Sequence, residues 1–195
     1  MSGAVSIIGG GWSVRGVDLA KVPGYVIAVN GAALHAPRVD AVVTMDRLFA
    51  EHTWLRLVEM ARPTWIRTAA LKNIKERPDW LHPFENDNAG AEMSEFTNRL
   101  NGNNSGFCAL NLAYLLRPAM VRLYGFDMNR SSTGEAYWHP PHEWSKDPRG
   151  GTGAKRYAEW VVPFAMAAKA FEAKGIEIVN MSLTSAIPFF RKEKP

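Results

Sequence analysis

The chain predicts an α/β domain built on a mainly parallel sheet flanked by helices, with two long loop insertions. Three observations predict it. Short apolar runs rich in β-branched residues, bounded by Gly, Asn or Asp, alternate with stretches of helical spacing. The residues that end these runs are small, polar or charged, and a parallel sheet would gather them along one edge. The 195 residues, 47% apolar and 22% charged, fit one globular domain spanning 1–195 with a sizeable core.

The elements follow in order. Ala4-Val5-Ser6-Ile7-Ile8 reads as a buried strand running into Gly9-Gly10-Gly11-Trp12-Ser13, with a short helix at Leu19-Ala20. Gly24–Asn30 and Val39–Asp46 read as the next strands, Arg47–Ala61 as a helix and Thr64–Thr68 as a fourth strand. Residues 72–103 are polar, rich in Asn and carry Pro78 and Pro83, so they predict an irregular insertion or lid with a short helix near Met93–Leu100. Asn104 or Ser105 can cap a helix running to Leu116, and Pro118 stops it. Ala119–Asp127 is a strand. Residues 128–153 form the second long loop. A helix to Lys174 follows, which Pro163 should kink or split, with Gly175 past its end. Ile176–Asn180 is the last strand, and Ile187, Phe189 and Phe190 can fold the tail back.

Composition removes several classes. No apolar stretch approaches the roughly 18 residues of a membrane span. The N-terminus lacks a basic segment followed by an apolar core, so a cytoplasmic protein is expected. The single Cys108 rules out an internal disulfide and a multi-cysteine metal site, and its spacing assigns it to the core. A net charge of +4, with basic residues bunched at Lys146–Arg156 and in the tail, fits a solvated surface or attraction to phosphate-bearing partners, from nucleotides to nucleic acid.

The candidate site lies where the strand ends converge. Bare glycines after the first strand can seat an anion. A dinucleotide fingerprint is not completed, because Val14 stands where the third glycine belongs and Asn30 replaces the acid after the second strand. No Gly-Lys-Ser/Thr of a P-loop follows. Asn104-Ser105-Gly106 offers either an ordinary cap or a second anion seat. Asp127 and Asp46 can cap loops, bind a ribose hydroxyl or meet a metal, but their spacing carries no metal signature. His139 and His142 share a loop with Trp138 and Trp144 and are the candidate general bases. His35, His52 and His82 read as unremarkable, Trp160 as core, and Trp12 as a residue placed to stack on a ligand.

Taken together, the glycine turn with Ser13, the strand-end Asn30-Gly31 and Asp46, Asn104-Ser105-Gly106 and Leu123-Tyr124-Gly125-Phe126-Asp127-Met128 form an ordered set. Over roughly residues 4–182 this set resembles the Rossmann-like proteins that group Campylobacter-type bacterial sialyltransferases with motility accessory factors and related phage proteins of unknown function. It is also similar to archaeal hydroxymethylpterin pyrophosphokinases. The first turn departs from the family pattern Gly-Asn-Gly-Pro-Ser, with Gly10 in place of the Asn and Trp12 in place of the Pro.

The resemblance implies a nucleotide held by Gly9, Gly10, Gly11, Ser13, Asn30, Gly31, Asp46, Asn104, Ser105 and Gly106. It implies a glycosyltransferase-like transfer from a cytidine monophosphate sugar, with His139 or His142 as base and no metal. The pyrophosphokinase relatives imply ATP, magnesium and phosphoryl transfer at Asp46 and Asp127 instead. A non-catalytic nucleotide or nucleic-acid binding module is the third expectation.

Overall fold

Alternation along the central strands decides the layering. Val5, Ile7, Ile27, Val29, Ala41 and Val43 point to one buried cluster, and Ile8, Val26, Ala28 and Val42 point to the other. A strand buried on both faces needs cover on both, and only helices on either side of a parallel sheet supply it. The computed structural model describes residues 3–86, 92–145 and 151–195.

The strands are β1 (Ala4–Ile8), β2 (Tyr25–Val29), β3 (Ala41–Thr44), β4 (Thr64–Arg67), β5 (Leu81–Phe84), β6 (Met120–Tyr124), β7 (Glu177–Asn180) and β8 (Arg191–Lys192). The helices are α1 (Ala32–His35), α2 (Arg47–Met60), α3 (Ser105–Leu116), α4 (Ala154–Val161) and α5 (Phe164–Ala173). The sheet has the order β5-β4-β3-β2-β1-β6-β7-β8, and every pair in it is parallel. This is an α/β, Rossmann-like architecture. Helices α3 and α5 cover one face through Phe107, Phe164 and Phe171; α1 and α2 cover the other through Ala32, Phe49 and Leu57.

Helix α3 is apolar nearly all round, with Phe107, Cys108, Ala109, Leu110, Leu112 and Ala113 buried, as a helix inside the core requires. Cys108 sits there, its thiol pushed up to about 12 by burial, which leaves it unreactive.

The structure departs from the sequence expectations in places with identifiable causes. The 72–103 stretch contains β5, despite Pro83. The strand lies at the sheet edge, where a missing N–H costs no ladder partner on the outer side. No helix forms near Met93–Leu100. Asn111 of α3, fully buried, holds that segment instead: its Oδ1 accepts from the N–H groups of Ser94 (3.1 Å) and Asn101 (2.9 Å), and its Nδ2 donates to Ser94 O (3.1 Å). A side chain thus satisfies the backbone groups that a helix would have paired internally. Leu19–Lys21 is a 3-10 turn rather than an α-helix, and a second such turn, Trp12–Val14, directly follows the glycines. Pro163 splits the last long helix into α4 and α5. The tail folds back through Ile187 and Phe190 and adds β8 beside β7, while Phe189 stays exposed.

Among the described residues, no helix is long and apolar enough to cross a membrane. The basic stretch Lys146–Arg156 lies partly outside the described residues; of its cations, Lys155 and Arg156 sit on the exposed face of α4.

Candidate functional site

The chain order reverses direction at β1. Strands β2 to β5 extend one way from it and β6 to β8 the other. An open α/β sheet leaves a crevice at such a switch point, beyond the carboxyl ends of the strands. Here that crevice is a cleft of about 380 Å³, inside the range of about 300–1,000 Å³ common for small-molecule sites.

Its floor is made by two strand ends that touch. Gly9 N donates to Tyr124 O (2.8 Å) and Gly11 N to Gly125 O (3.0 Å). A Cβ on Gly11 would strike Asp127 Oδ2 and the Gly125 carbonyl, and one on Gly9 would lie 2.8 Å from Gly125 O. None of the three glycines has a positive φ. Close approach, not a sharp turn, is what demands them. Gly10 has a different neighbour: its missing side chain leaves room for the rings of Tyr137 and His139.

Asp127 lies just beyond the end of β6, after Gly125 and Phe126, with 1% exposure. Its Oδ2 accepts from Ser13 N (2.9 Å), while Oδ1 is buried without a hydrogen-bond partner. Asn30, held at φ 48° after β2, likewise lines the cleft with an unpartnered buried Oδ1. Two residues of the cleft lining therefore each carry a buried, unsatisfied acceptor, which is costly unless a donor reaches it.

Opposite them stands the N-terminus of α3. Asn104 caps it, its Oδ1 accepting from Phe107 N (2.9 Å). Ser105 Oγ accepts from Met45 N (3.0 Å), which pins the helix start to the end of β3. The Ser105 and Gly106 N–H groups have no intrahelical acceptor, being in the first turn. Gly106 lets Phe126 pack close, since a Cβ there would meet the Phe126 ring at 3.0 Å. Asp46 lines the cleft but also caps α2, its Oδ1 accepting from Leu48 N (2.9 Å) and Phe49 N (3.2 Å).

The remaining wall is aromatic. Tyr137 contributes from the 128–153 loop, Tyr157 and Trp160 from α4. The sequence expectation placed Trp160 in the core; α4 has no buried residue, and Trp160 is half-buried at the cleft. Tyr157 and Trp160 were legible only as an apolar stripe, a spacing that core and cleft walls share.

Of the residues singled out from sequence, the fold brings Gly9, Gly10, Gly11, Asn30, Asp46, Asn104, Ser105, Gly106 and Asp127 to this cleft. It does not bring Ser13, Gly31, His139 or His142 to its lining. Ser13 acts through its backbone on Asp127. Gly31 makes room for the histidines: a Cβ there would lie 2.5 Å from His139 Cε1 and 2.7 Å from His142 Cε1. Trp12 is not poised to stack in the cleft either; its Nε1 donates to Asn129 Oδ1 (3.1 Å), and it borders a separate hollow.

His139 is 6% exposed. Its ring is stacked between His35 (5.1 Å between centroids) and Tyr137 (5.1 Å), with Nδ1 2.8 Å from Pro140 O. Burial drives its pKa down to about 4, and the neighbouring His35 and His142 add to the effect against the Pro140 carbonyl. His142 stacks on Trp144 (4.4 Å), which stacks on His52 (4.6 Å). Burial lowers its pKa, opposed by the Asp46 carboxylate. His35 and His52 thus belong to ring stacks, which no local signal in the sequence announces. Among the described residues, no group of three or more His, Cys, Asp or Glu is arranged to hold a metal ion. In comparisons with protein-family models, with curated proteins and with solved structures, nothing matched this chain.

Proposed function

We propose that the cleft binds a nucleotide, and that the chain is a nucleotide-dependent transferase using a nucleotide-sugar donor, in line with its resemblance to the Campylobacter-type sialyltransferases and motility accessory factors. One observation carries this: two unpartnered acceptors, Asp127 Oδ1 and Asn30 Oδ1, share a cleft with a helix N-terminus and aromatic rings. A nucleotide supplies the complement of each part. Its ribose hydroxyls donate, its phosphate is an anion, and its base stacks.

In this proposal the phosphate sits at the first turn of α3, on the Ser105 and Gly106 N–H groups. There the helix dipole stabilises the charge that develops as the nucleotide leaves. Asn30 Oδ1 accepts from a ribose hydroxyl. Tyr157 and Trp160 flank the base. The acceptor hydroxyl attacks the anomeric carbon, and the bond from that carbon to the phosphate oxygen breaks with its electron pair leaving on the phosphate. The hydroxyl proton passes to a base. Neither histidine expected as the base lines the cleft, whereas the Asp127 carboxylate does, so Asp127 takes that role here; a histidine base would need the 137–142 loop to move.

Calorimetric titration with cytidine, uridine, guanosine and adenosine monophosphates, and with their sugar conjugates, tests the proposal. Binding of one base class, weakened when Ser105 is replaced by Pro to remove an N–H, is expected. No binding of any of them at millimolar concentration overturns it. Binding of ATP only with magnesium, abolished by Asp46→Ala or Asp127→Ala, would favour phosphoryl transfer. Binding of DNA or RNA that weakens steeply with salt would favour a nucleic-acid module.

A further inference from the structure

Four of the five histidines lie in or beside one cluster of rings, on the far side of Tyr137 from the cleft. His35, at the end of α1, stacks on His139 at 13° between planes, and His139 stacks on Tyr137 at 14°. His142 lies 5.7 Å from His139, and continues through Trp144 to His52 of α2. The loop that carries these rings is fastened to the glycine floor. Trp138 N donates to Gly10 O (3.1 Å), Trp138 Nε1 donates to Gly9 O (2.9 Å), and Tyr137 bridges to Gly11. Tyr137 therefore has one face on the His139 ring while lining the cleft.

We propose that the His35–His139–Tyr137 stack is a positioning device: neutral His139 holds the Tyr137 ring on the cleft wall, and protonation of His139 releases it, so ligand affinity falls in acid. Its ligand arm rests on the nucleotide-binding proposal; its loop arm does not.

The groups that face His139 make the direction of the effect plain. From α1 it meets His35, from its own loop His142 and Tyr137, and from the turns after β1 and β2 the bare Gly10 and Gly31; Arg15, paired with Glu135, borders the same hollow as His139. Asp46, at the start of α2, acts on His142 and Tyr137 and is absent from the influences on His139. The Pro140 carbonyl can only accept, so Nδ1 carries the hydrogen of the neutral ring. An acid proton would go to Nε2, on the side of Gly10 and Gly31, with two other imidazoles beside the ring. Released with its loop, the ring returns to the ordinary histidine range near about 6.5. The closed loop therefore binds fewer protons than the open one between that value and about 4. Closure is favoured above the window and lost as pH falls through it. The same sign applies to folding itself.

Hydrogen exchange of the Trp138 amide, corrected for its intrinsic rate, reads loop opening without any ligand. Its protection should fall as pH is lowered from 7 to 5, by up to about tenfold per pH unit. His139→Phe keeps a ring in the stack but has no proton to take, so protection in that variant should fall less steeply than in the wild type, the remaining slope coming from His142 and His35, whose pKa values burial also lowers. His139→Ala should expose the amide at every pH. For the ligand arm, a nucleotide that binds at pH 7.5 should bind several-fold more weakly at pH 5, and His139→Phe should reduce the difference. Flat protection in the wild-type chain overturns the inference whether or not the variants fold. Nucleotide binding that is pH-independent while protection falls also overturns it. An absence of nucleotide binding at every pH, with protection falling, sinks the nucleotide-binding proposal and the claim on affinity, and leaves the loop device standing.

Discussion

The two walls of the cleft are built on opposite plans. The wall formed by β1, β6 and the start of α3 is backbone against backbone. Glycines permit contact, Asn104 and Ser105 spend their oxygens on N–H groups, and Phe107 and Phe126 seal the packing behind. The wall formed by the 136–145 loop and α4 is ring against ring. Helix α4 buries none of its residues, and beneath Ala154, Tyr157, Ala158 and Val161 lies a hollow of about 450 Å³. Few buried apolar contacts mean low local stability. The first wall can hold a fixed geometry for charge; the second supplies area and can adjust.

Substitution should expose that contrast. Gly11→Ala puts a methyl into the Gly125 carbonyl and the Asp127 carboxylate, neither of which can yield without separating the strand ends. It should cost about 3 kcal/mol in urea unfolding and abolish ligand binding. Next in size is Asn111→Ala. It strands the Ser94 and Asn101 N–H groups behind the first wall, and should cost about 2 kcal/mol while leaving the cleft lining in place. The smallest effect on stability is expected on the second wall. Trp160→Ala should change unfolding by no more than about 0.5 kcal/mol, yet weaken a stacked nucleotide by about 1 kcal/mol or more. Should Trp160→Ala destabilise the fold as much as Asn111→Ala does, the two walls are not different in kind.

The same division separates what the sequence revealed from what it hid. The first wall is made of local patterns: an apolar run into glycines, an Asn-Ser-Gly cap before an apolar helix, a strand into Gly-Phe-Asp. Each can be recognised within a dozen residues, because the chemistry of a strand end or a cap is set by its neighbours in the chain. The second wall depends on partners far apart. His35 of α1 meets His139, and His52 of α2 meets Trp144, only because both helices lie against one distant loop. The stripe of Tyr157 and Trp160 looks the same whether it faces a core or a cavity. Strand β5 was concealed by Pro83, tolerable there only because the strand is at an edge, a property of the assembled sheet. The missing helix before Leu100 was decided by Asn111, a residue outside it.

The central place of β1 has a consequence for how the molecule is made. Strands β1 to β5 follow one another across five of the sheet's eight strands, so they can pair in the order in which they emerge from a ribosome. The other edge of β1 must wait for β6, which starts at Met120. At synthesis rates of about 5–20 residues per second that wait lasts several seconds. During it, Val5 and Ile7 present an open, apolar strand edge, the kind that pairs with the wrong chain. The floor of the cleft is that same seam. A nascent chain therefore acquires the floor of its site and covers this edge of β1 in one event, the arrival of β6.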